Sequence, residues 1–268
     1  MTTFLIDMDG ILYHGEHVLP GAREFIARIS PFRHLFVTNN PVLSPGAIAE
    51  RLSGMGFNPS FPEQILTSAD ATALWLSRRM PDFRYYAIGG RGLHEALEKA
   101  GKPDALEADF VVIGEGPGLD YDALITGINL VLSKGAQLIS TNPDVNVDSW
   151  NNGTHLVLPG GGALVAPFEL ATAKKAVTIG KPEPLLFEMA LERLNASPED
   201  CIMIGDRPDT DIVGAAAVGM RTALVRTGRF RPGTRWPAGL KQPDWDEDSL
   251  SDLAMTLQEA GILDSHGQ

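Results

Sequence analysis

Three short apolar segments of the sequence are each followed by polar residues that can do chemistry. Asp7 and Asp9 follow the first segment, and Thr38 follows the second. Asp206 follows the third, and Lys181 stands just before a predicted helix. Carboxylates gathered in one crevice repel one another unless a hard cation lies among them, and oxygen atoms are the ligands that Mg²⁺ prefers. These residue types therefore predict an anionic site that holds Mg²⁺.

A phosphate group suits such a site. The metal would bridge it on one side, and the Thr38 hydroxyl, backbone N–H groups and the Lys181 ammonium would bind it on the other. A carboxylate on the metal that faces phosphorus can displace the ester oxygen and form an aspartyl phosphate. The second carboxylate, two residues further on, can protonate the leaving oxygen and then activate water. The predicted chemistry is phosphoryl transfer.

The elements that must position these residues alternate along the chain. Short apolar runs predict strands, and amphipathic segments with Ser or Pro start signals predict helices between them. This βαβ pattern predicts an α/β fold with a doubly wound parallel sheet, in which ligands bind beyond the carboxyl ends of the strands. The predicted strands are 4–6, 35–37, 202–204 and 222–225, and the helices between them include 47–55, 69–80 and 185–194.

The middle of the chain repeats the α/β theme with its own elements. Strands are predicted at 85–88, 110–113 and 137–140, with helices at 93–100 and 121–133. The segments after 178 return to the first pattern. We therefore predict a discontinuous core domain, 1–81 and 174–268, with an inserted domain at 82–173. Residues 142–162 are interpreted as loops of the inserted domain.

Composition excludes several classes of protein. Hydrophobic residues at 44% and charged residues at 21% exclude disorder, collagen and coiled coil for the chain as a whole. The formal net charge of −12 argues against nucleic acid and anionic lipid as partners. No apolar run is long enough to span a membrane, and the N-terminal residues do not resemble a secretory signal. The single cysteine favours a cytoplasmic protein.

Four sequence motifs then resemble, in order, those of haloacid dehalogenase (HAD) superfamily phosphatases. They are Asp7-x-Asp9-Gly10-x-Leu12, Thr38-Asn39-Asn40, Gly180-Lys181-Pro182 and Gly205-Asp206-Arg207-x-x-Thr210-Asp211-Ile212. The chain is most similar to the subfamily IIA branch of NagD-like and p-nitrophenyl-phosphatase-like proteins. That resemblance implies a Rossmann-like core with a large α/β cap of the C2 type, inserted between the second and third motifs.

The resemblance also implies a role for each motif residue. Asp7 would be the nucleophile and Asp9 the general acid/base. Magnesium would be bound by Asp7, the Asp9 carbonyl and Asp206, while Asp211 would hold the metal's waters. Thr38 and Asn39 would bind the transferring phosphate, and Lys181 would neutralise its charge. In the cap, Asn142, Asp144, Gly160 and Gly162 are candidate substrate contacts, and contact by Trp150 is left open.

The expected activity is hydrolysis of a small phosphomonoester with Mg²⁺ as cofactor. Candidate substrates are a sugar phosphate, phosphoglycolate, pyridoxal phosphate, a nucleotide or an aryl phosphate. One alternative is a phosphotransferase that uses the same intermediate. Another is a non-enzymatic phospho-receiver or binding module. The resemblance also allows a homodimer formed through the cap.

Overall fold

The computed structural model describes residues 2–57, 61–151 and 154–264, which form alternating strands and helices. The strands are β1 (Thr3–Ile6), β2 (Tyr13–His14), β3 (His17–Val18), β4 (Arg33–Thr38), β5 (Ile65–Thr67), β6 (Arg84–Ile88), β7 (Lys102–Pro103), β8 (Phe110–Ile113), β9 (Gln137–Ser140), β10 (Asn146–Asn151), β11 (Thr154–Pro159), β12 (Val177–Thr178), β13 (Cys201–Gly205), β14 (Arg221–Val225) and β15 (Trp245–Glu247). The helices are α1 (Ala22–Ile29), α2 (Pro45–Gly54), α3 (Ser68–Arg79), α4 (Arg91–Glu98), α5 (Tyr121–Asn129), α6 (Gly161–Thr172), α7 (Pro184–Leu194), α8 (Val213–Ala217) and α9 (Leu250–Glu259).

A six-stranded sheet in the order β15-β14-β13-β1-β4-β5 forms the first layer. Its central strand β1 pairs in parallel with β13 and with β4, so that Ile6 lies opposite both Ile204 and Phe36. Every residue of β1 and β13 is buried, which explains why both strands are mostly apolar in sequence. The predicted parallel sheet is confirmed.

Local sequence signals set the helices beside this sheet. In α1 the buried residues Ala22, Phe25 and Ile29 recur at helical spacing and give the helix one apolar face. Helix α7 begins at Pro184, where the missing N–H costs nothing, and ends before Asn195 in the left-handed conformation. The buried face of α1 and the end signals of α7 thus determine how these helices pack and where they begin and end.

A second sheet of five strands has the order β12-β9-β8-β6-β7. Strand β8 pairs in parallel with β6 and with β9, and β12 pairs in parallel with β9. Residues of α5 and α6 share a buried apolar cluster with this sheet, which includes Val111, Ile113 and Phe168. The middle of the chain therefore has a buried apolar cluster of its own.

An antiparallel hairpin replaces part of the region interpreted as loops. Strands β10 and β11 pair with Asn146 opposite Pro159 and Val147 opposite Leu158. All residues of β11 are exposed. The strand therefore has no buried face that an alternating apolar pattern in the sequence could have indicated. The Asn152-Gly153 dipeptide between the two strands is a hairpin signal in the sequence.

The chain divides into two compact units, the first comprising residues 1–38, 49–66 and 181–268 and the second 39–48 and 67–180. The predicted domains differ from these units at 39–48, 67–81 and 174–180. Strand β12 lies in the second sheet because it pairs with β9, and α3 packs against α4. The domain limits stay a prediction. Among the described residues, none of the helices has the length and apolar character needed to cross a membrane.

Candidate active site

Two acidic residues lie at the carboxyl ends of neighbouring central strands of the first unit. Asp7 follows β1, and its N–H donates to the Ile204 carbonyl at 2.9 Å, which extends the parallel ladder by one residue. Asp206 directly follows Gly205, the last residue of β13. Both residues are buried, with 8% and 3% of their surface exposed. The apolar strands thus place two carboxylates at one edge of the sheet.

A π-helical turn, Pro208–Ile212, brings a third carboxylate back to this edge. The Arg207 N–H donates to Asp211 Oδ2 at 3.1 Å. Gly205 makes the approach possible, because a Cβ at this position would lie 2.4 Å from Asp211 Cγ. One carboxylate oxygen from each of Asp7, Asp206 and Asp211 lies within 4.8 Å of the others.

Lys181 is the buried cation of this cluster. Its Nζ lies 2.9 Å from Asp7 Oδ1 and 2.7 Å from Asp211 Oδ1, and the residue is 2% exposed. Burial lowers the pKa of the ammonium, but the Asp211 and Asp7 carboxylates outweigh burial and raise that pKa above its ordinary value. Lys181 is therefore charged at any physiological pH and links two of the three carboxylates.

The pKa values of the carboxyl groups show that one lysine does not balance three acids. Burial raises the pKa of Asp7 to about 7, although Lys181 pulls it down. Burial and the neighbouring Asp211 and Asp7 carboxylates raise the pKa of Asp206 well above its ordinary value. The Arg229 N–H, which donates to Asp206 Oδ2 at 2.7 Å, opposes that rise. The cluster consequently favours additional positive charge, as protons or as a cation.

The donor set fits a hard divalent metal ion. The cluster of Asp7, Asp206 and Asp211 offers carboxylate oxygens and contains no thiolate or imidazole. Asp7 and Asp206 would hold the ion directly. Both oxygens of Asp211 already have partners, because Oδ1 contacts Lys181 and Oδ2 accepts from the Arg207 N–H. This arrangement suits the predicted role of Asp211, which is to hold the metal's waters and not the metal itself.

Asp9 lies outside the buried cluster. It is exposed, and its backbone forms a β-bridge with Tyr13. The turn depends on Gly10, which has a φ of 81° and whose N–H donates to the Tyr13 carbonyl at 2.9 Å. A Cβ at Gly10 would lie 2.7 Å from Asp206 Oδ2. An exposed carboxylate two residues from Asp7 can exchange protons with a substrate and with water.

Thr38 is the last residue of β4 and is 6% exposed. Because Phe36 lies opposite Ile6, Thr38 reaches the edge of the sheet at which Asp7 leaves β1. The first unit therefore brings Asp7 together with Lys181, Asp206 and Asp211, and places Thr38 at the same edge.

The remaining predicted residues form a separate cluster in the second unit. Asn39 Nδ2 donates to Asp144 Oδ2 at 2.9 Å, and Asn142 Nδ2 donates to the Asn39 carbonyl at 2.8 Å. Gly160 and Gly162 lie against the same loop, since a Cβ on either would come within 2.4 Å of a backbone carbonyl of that loop. Substrate contact by these residues stays a prediction. The side chain of Trp150 lies outside the part of the chain that the structure describes.

Comparison with known proteins identifies the family. A family model described as haloacid dehalogenase-like hydrolase matches residues 4–102, and one described as HAD-hydrolase-like matches 178–253. The acid sugar phosphatase of Staphylococcus haemolyticus is 38% identical over 229 residues, which cover 84% of this chain and 85% of that protein. The chain belongs to the haloacid dehalogenase-like hydrolase family.

Solved structures place it in the NagD-like branch of that HAD family. A thermostable p-nitrophenyl phosphatase (NPPase) double mutant from Geobacillus stearothermophilus matches with a TM-score of 0.83 and 35% identity, over 94% of this chain and 97% of that one. NagD from Escherichia coli matches with a TM-score of 0.83 and 29% identity, over 94% and 98%. The fold class and the assignment as a HAD phosphatase are confirmed.

One part of this HAD site, the segment around Gly228 and Arg229, was not predicted from the sequence. The segment after β14 reaches the buried cluster, where the Arg229 N–H donates to Asp206. Gly228 lies so close that a Cβ there would be 1.8 Å from Asp206 Oδ2. The signal that could have found it is the polar Thr227-Gly228 pair just beyond a predicted parallel strand, the same signal that marked Asp7 and Asp206.

Proposed function

We propose that this HAD phosphatase hydrolyses a small phosphomonoester, preferentially a sugar phosphate, with Mg²⁺ as its cofactor and a phosphoaspartate at Asp7. The observation that carries the proposal is the buried arrangement of Lys181 between Asp7 and Asp211, with Asp206 beside them. The acid sugar phosphatase name of the Staphylococcus relative supports the substrate class. Phosphoglycolate, pyridoxal phosphate, nucleotides and aryl phosphates are the other candidates.

Asp7 attacks the phosphorus atom of the bound ester in the first step. A bond forms between a carboxylate oxygen of Asp7 and phosphorus, and the bond from phosphorus to the ester oxygen breaks. Asp9 gives its proton to the leaving oxygen, so that the alcohol departs neutral. Lys181, 2.9 Å from Asp7 Oδ1, fixes the orientation of the attacking carboxylate. When bound, Mg²⁺ supplies positive charge that offsets the negative charge of the phosphoryl oxygens.

Water cleaves the phosphoaspartate in the second step. Asp9, now deprotonated, removes a proton from the attacking water. The new bond joins the water oxygen to phosphorus, the bond from phosphorus to the Asp7 oxygen breaks, and inorganic phosphate leaves. Thr38, Asn39 and Lys181 bind the phosphoryl group through both steps. Residues 142–162, including Asn142, Asp144, Gly160 and Gly162, contribute to the choice of substrate.

The first experiment screens purified protein against a panel of small phosphomonoesters, with Mg²⁺ or with excess chelator. We expect phosphate release that requires Mg²⁺, with sugar phosphates among the best substrates. Asp7→Asn keeps the shape but removes the anionic nucleophile, so turnover should fall by several orders of magnitude. The matched control is Asp264→Asn, at an exposed position near the C-terminus. Turnover of Asp7→Asn equal to that of the control would refute the mechanism.

Two further measurements separate the alternatives. Product analysis with added alcohols tests for a phosphotransferase, which would form new phosphate esters in preference to inorganic phosphate. The lifetime of the phosphoenzyme tests for a receiver module, which would keep the phosphoryl group far longer than the seconds or less expected of a hydrolase. Full activity with Zn²⁺ and none with Mg²⁺ would contradict the oxygen-ligand site.

The cellular location and the oligomeric state of the protein are two further features to test. We propose a cytoplasmic location, which is supported by a single cysteine that has no partner for an intrachain disulfide. We also propose a homodimer formed through the inserted cap domain, residues 82–173. The molar mass of the protein, measured by light scattering as it elutes from a size-exclusion column, tests the dimer. A molar mass of one chain at micromolar concentration would exclude it.

A further inference from the structure

The loop that follows Thr38 is held by a network of buried side chains within the second unit. The Asn39 carbonyl accepts hydrogen bonds from Ser68 Oγ at 2.6 Å and from Asn142 Nδ2 at 2.8 Å. The Asn39 side chain donates to Asp144 Oδ2 at 2.9 Å. Both the backbone and the side chain of Asn39 are thus fixed by other residues.

Glu115 lies at the far end of this network. It follows β8 and Gly114, and only 4% of its surface is exposed. Its Oε1 accepts a hydrogen bond from Asn142 Nδ2 at 2.9 Å, and its backbone carbonyl accepts one from the Gly90 N–H at 2.6 Å. Burying a carboxyl group costs free energy of desolvation unless hydrogen bonds inside the protein offset that cost. Glu115 is thus a buried acid outside the catalytic carboxylate cluster.

The chemistry of Glu115 determines how the Asn142 amide is oriented. Glu115 Oε1 accepts a hydrogen bond from Asn142, so the Asn142 side chain turns its NH₂ group, and not its carbonyl oxygen, toward Glu115. In that orientation the same NH₂ group reaches the Asn39 carbonyl, and Oδ1 accepts from the Asp144 N–H at 3.0 Å. An amide rotated by half a turn would place its oxygen against both the Glu115 carboxylate and the Asn39 carbonyl.

We propose that Glu115 is a positioning residue for phosphate binding, acting through Asn142 on the peptide that joins Asn39 to Asn40. The inference rests on the proposed function, in which Thr38 and Asn39 bind the transferring phosphate. Glu115 touches neither substrate nor metal in this proposal. It keeps Asn142 in the one orientation that holds Asn39, and so keeps the phosphate-binding loop ordered before substrate arrives.

The test compares Glu115→Leu with Glu115→Gln in the full-length protein with Mg²⁺. Leucine removes the acceptor, whereas glutamine can still present a carbonyl oxygen to Asn142. We expect Glu115→Leu to raise KM for the best phosphomonoester and Ki for inorganic phosphate together, each about tenfold, with a smaller change in kcat. In Glu115→Gln, KM and Ki should both stay within about threefold of the wild-type values. Glu98→Ala, at an exposed position in the same unit, is the matched control.

A second pair of variants covers the case in which leucine prevents folding. Glu115→Asp keeps the charge but withdraws the carboxylate by one methylene, and Asn142→Asp removes both donors of the amide. Both should raise Ki for inorganic phosphate, Asn142→Asp at least as much as Glu115→Leu. A lower melting temperature with unchanged Ki in the folded variants would overturn the inference and leave Glu115 a purely structural role. The proposed function fails separately, if wild type releases no phosphate from any ester.

Discussion

Nζ of Lys181 and Oδ1 of Asp7 lie 2.9 Å apart in a site where both side chains are almost fully buried. Removing one partner of a buried ion pair strongly destabilises a protein, because the other charge is left buried without compensation. In this protein the same ammonium also contacts Asp211 at 2.7 Å. Lys181 thus compensates the charge of two buried acids, and in the proposed mechanism it also orients the attacking Asp7 carboxylate.

Replacing Lys181 by methionine should lower both the stability of the protein and its activity. Methionine fills a similar volume without charge, so we expect a loss of about 3 to 5 kcal/mol in the free energy of unfolding at neutral pH in chelator. Activity should fall by at least about a hundredfold, since phosphoryl charge loses a cation. Urea denaturation and steady-state kinetics measure the two effects. Lys241→Met, at an exposed position, controls for the substitution itself, and equal stability of the two variants would contradict the prediction.

The raised pKa of Asp7 predicts how the stability of the metal-free protein depends on pH. In the folded state the pKa is about 7, against an ordinary value of 3.8. Between these values the folded protein retains a proton that the unfolded chain has lost, so the free energy of unfolding decreases as pH rises through this window. Melting temperatures in chelator between pH 4.5 and 7.5 should show the decrease, and Asp7→Asn should show less of it.

Metal should reverse this dependence. In the proposed site, added Mg²⁺ would bind the ionised carboxylates, and a ligand that binds only the folded state stabilises that state by mass action. The melting temperature at pH 7.5 should therefore rise on Mg²⁺ addition in the wild type and by less in Asp7→Asn. If stability in chelator instead increases from pH 4.5 to 7.5 by the same amount in both proteins, burial does not keep Asp7 protonated.

Gly228 is expected to be required for metal binding although it offers no ligand atom. An alanine Cβ there would lie 1.8 Å from Asp206 Oδ2, so the carboxylate must move. Gly228→Ala should weaken Mg²⁺ affinity by about tenfold or more, measured as the Mg²⁺ dependence of activity and by calorimetric titration. Gly54→Ala is the control, because nothing lies within 4 Å of a Cβ at that glycine. Matching Mg²⁺ affinities for the two variants would show that the site adapts.

The two proposed roles of Asp9, as acid and then as base, can be tested by changing the leaving group. Asp9→Asn cannot protonate the leaving oxygen, so phosphoenzyme formation from an alkyl phosphate should slow severely. An aryl phosphate has a better leaving group and should suffer less in this step, yet its phosphoenzyme should persist because its breakdown lacks a base. Rapid-quench kinetics on both substrates measures the steps. Equal slowing for both leaving groups, with normal breakdown, would give Asp9 only a structural role.

The sequence by itself determined the residues at the strand ends and the type of sheet that carries them. Asp7, Thr38 and Asp206 each follow a short apolar run, and polar residues at the carboxyl ends of parallel strands share one edge of the sheet. Lys181, just before a predicted helix, was also a candidate from the residues alone. The role of Asp211 came from the resemblance to a family, whose order of motifs the chain preserves. These features could be predicted because each depends on a local run of residues and on the order of the runs.

Only the tertiary structure decided which side chains meet. The 2.7 Å contact between Lys181 and Asp211 and the approach of Gly228 to Asp206 join residues far apart in the chain. The same holds for Glu115, whose partner Asn142 is 27 positions away. The exposed hairpin β10–β11 and the pairing of β12 with β9 also depend on the fold. Periodicity records which side of an element is buried, whereas partners across the structure are set by register and by the close packing of loops, which no local pattern encodes.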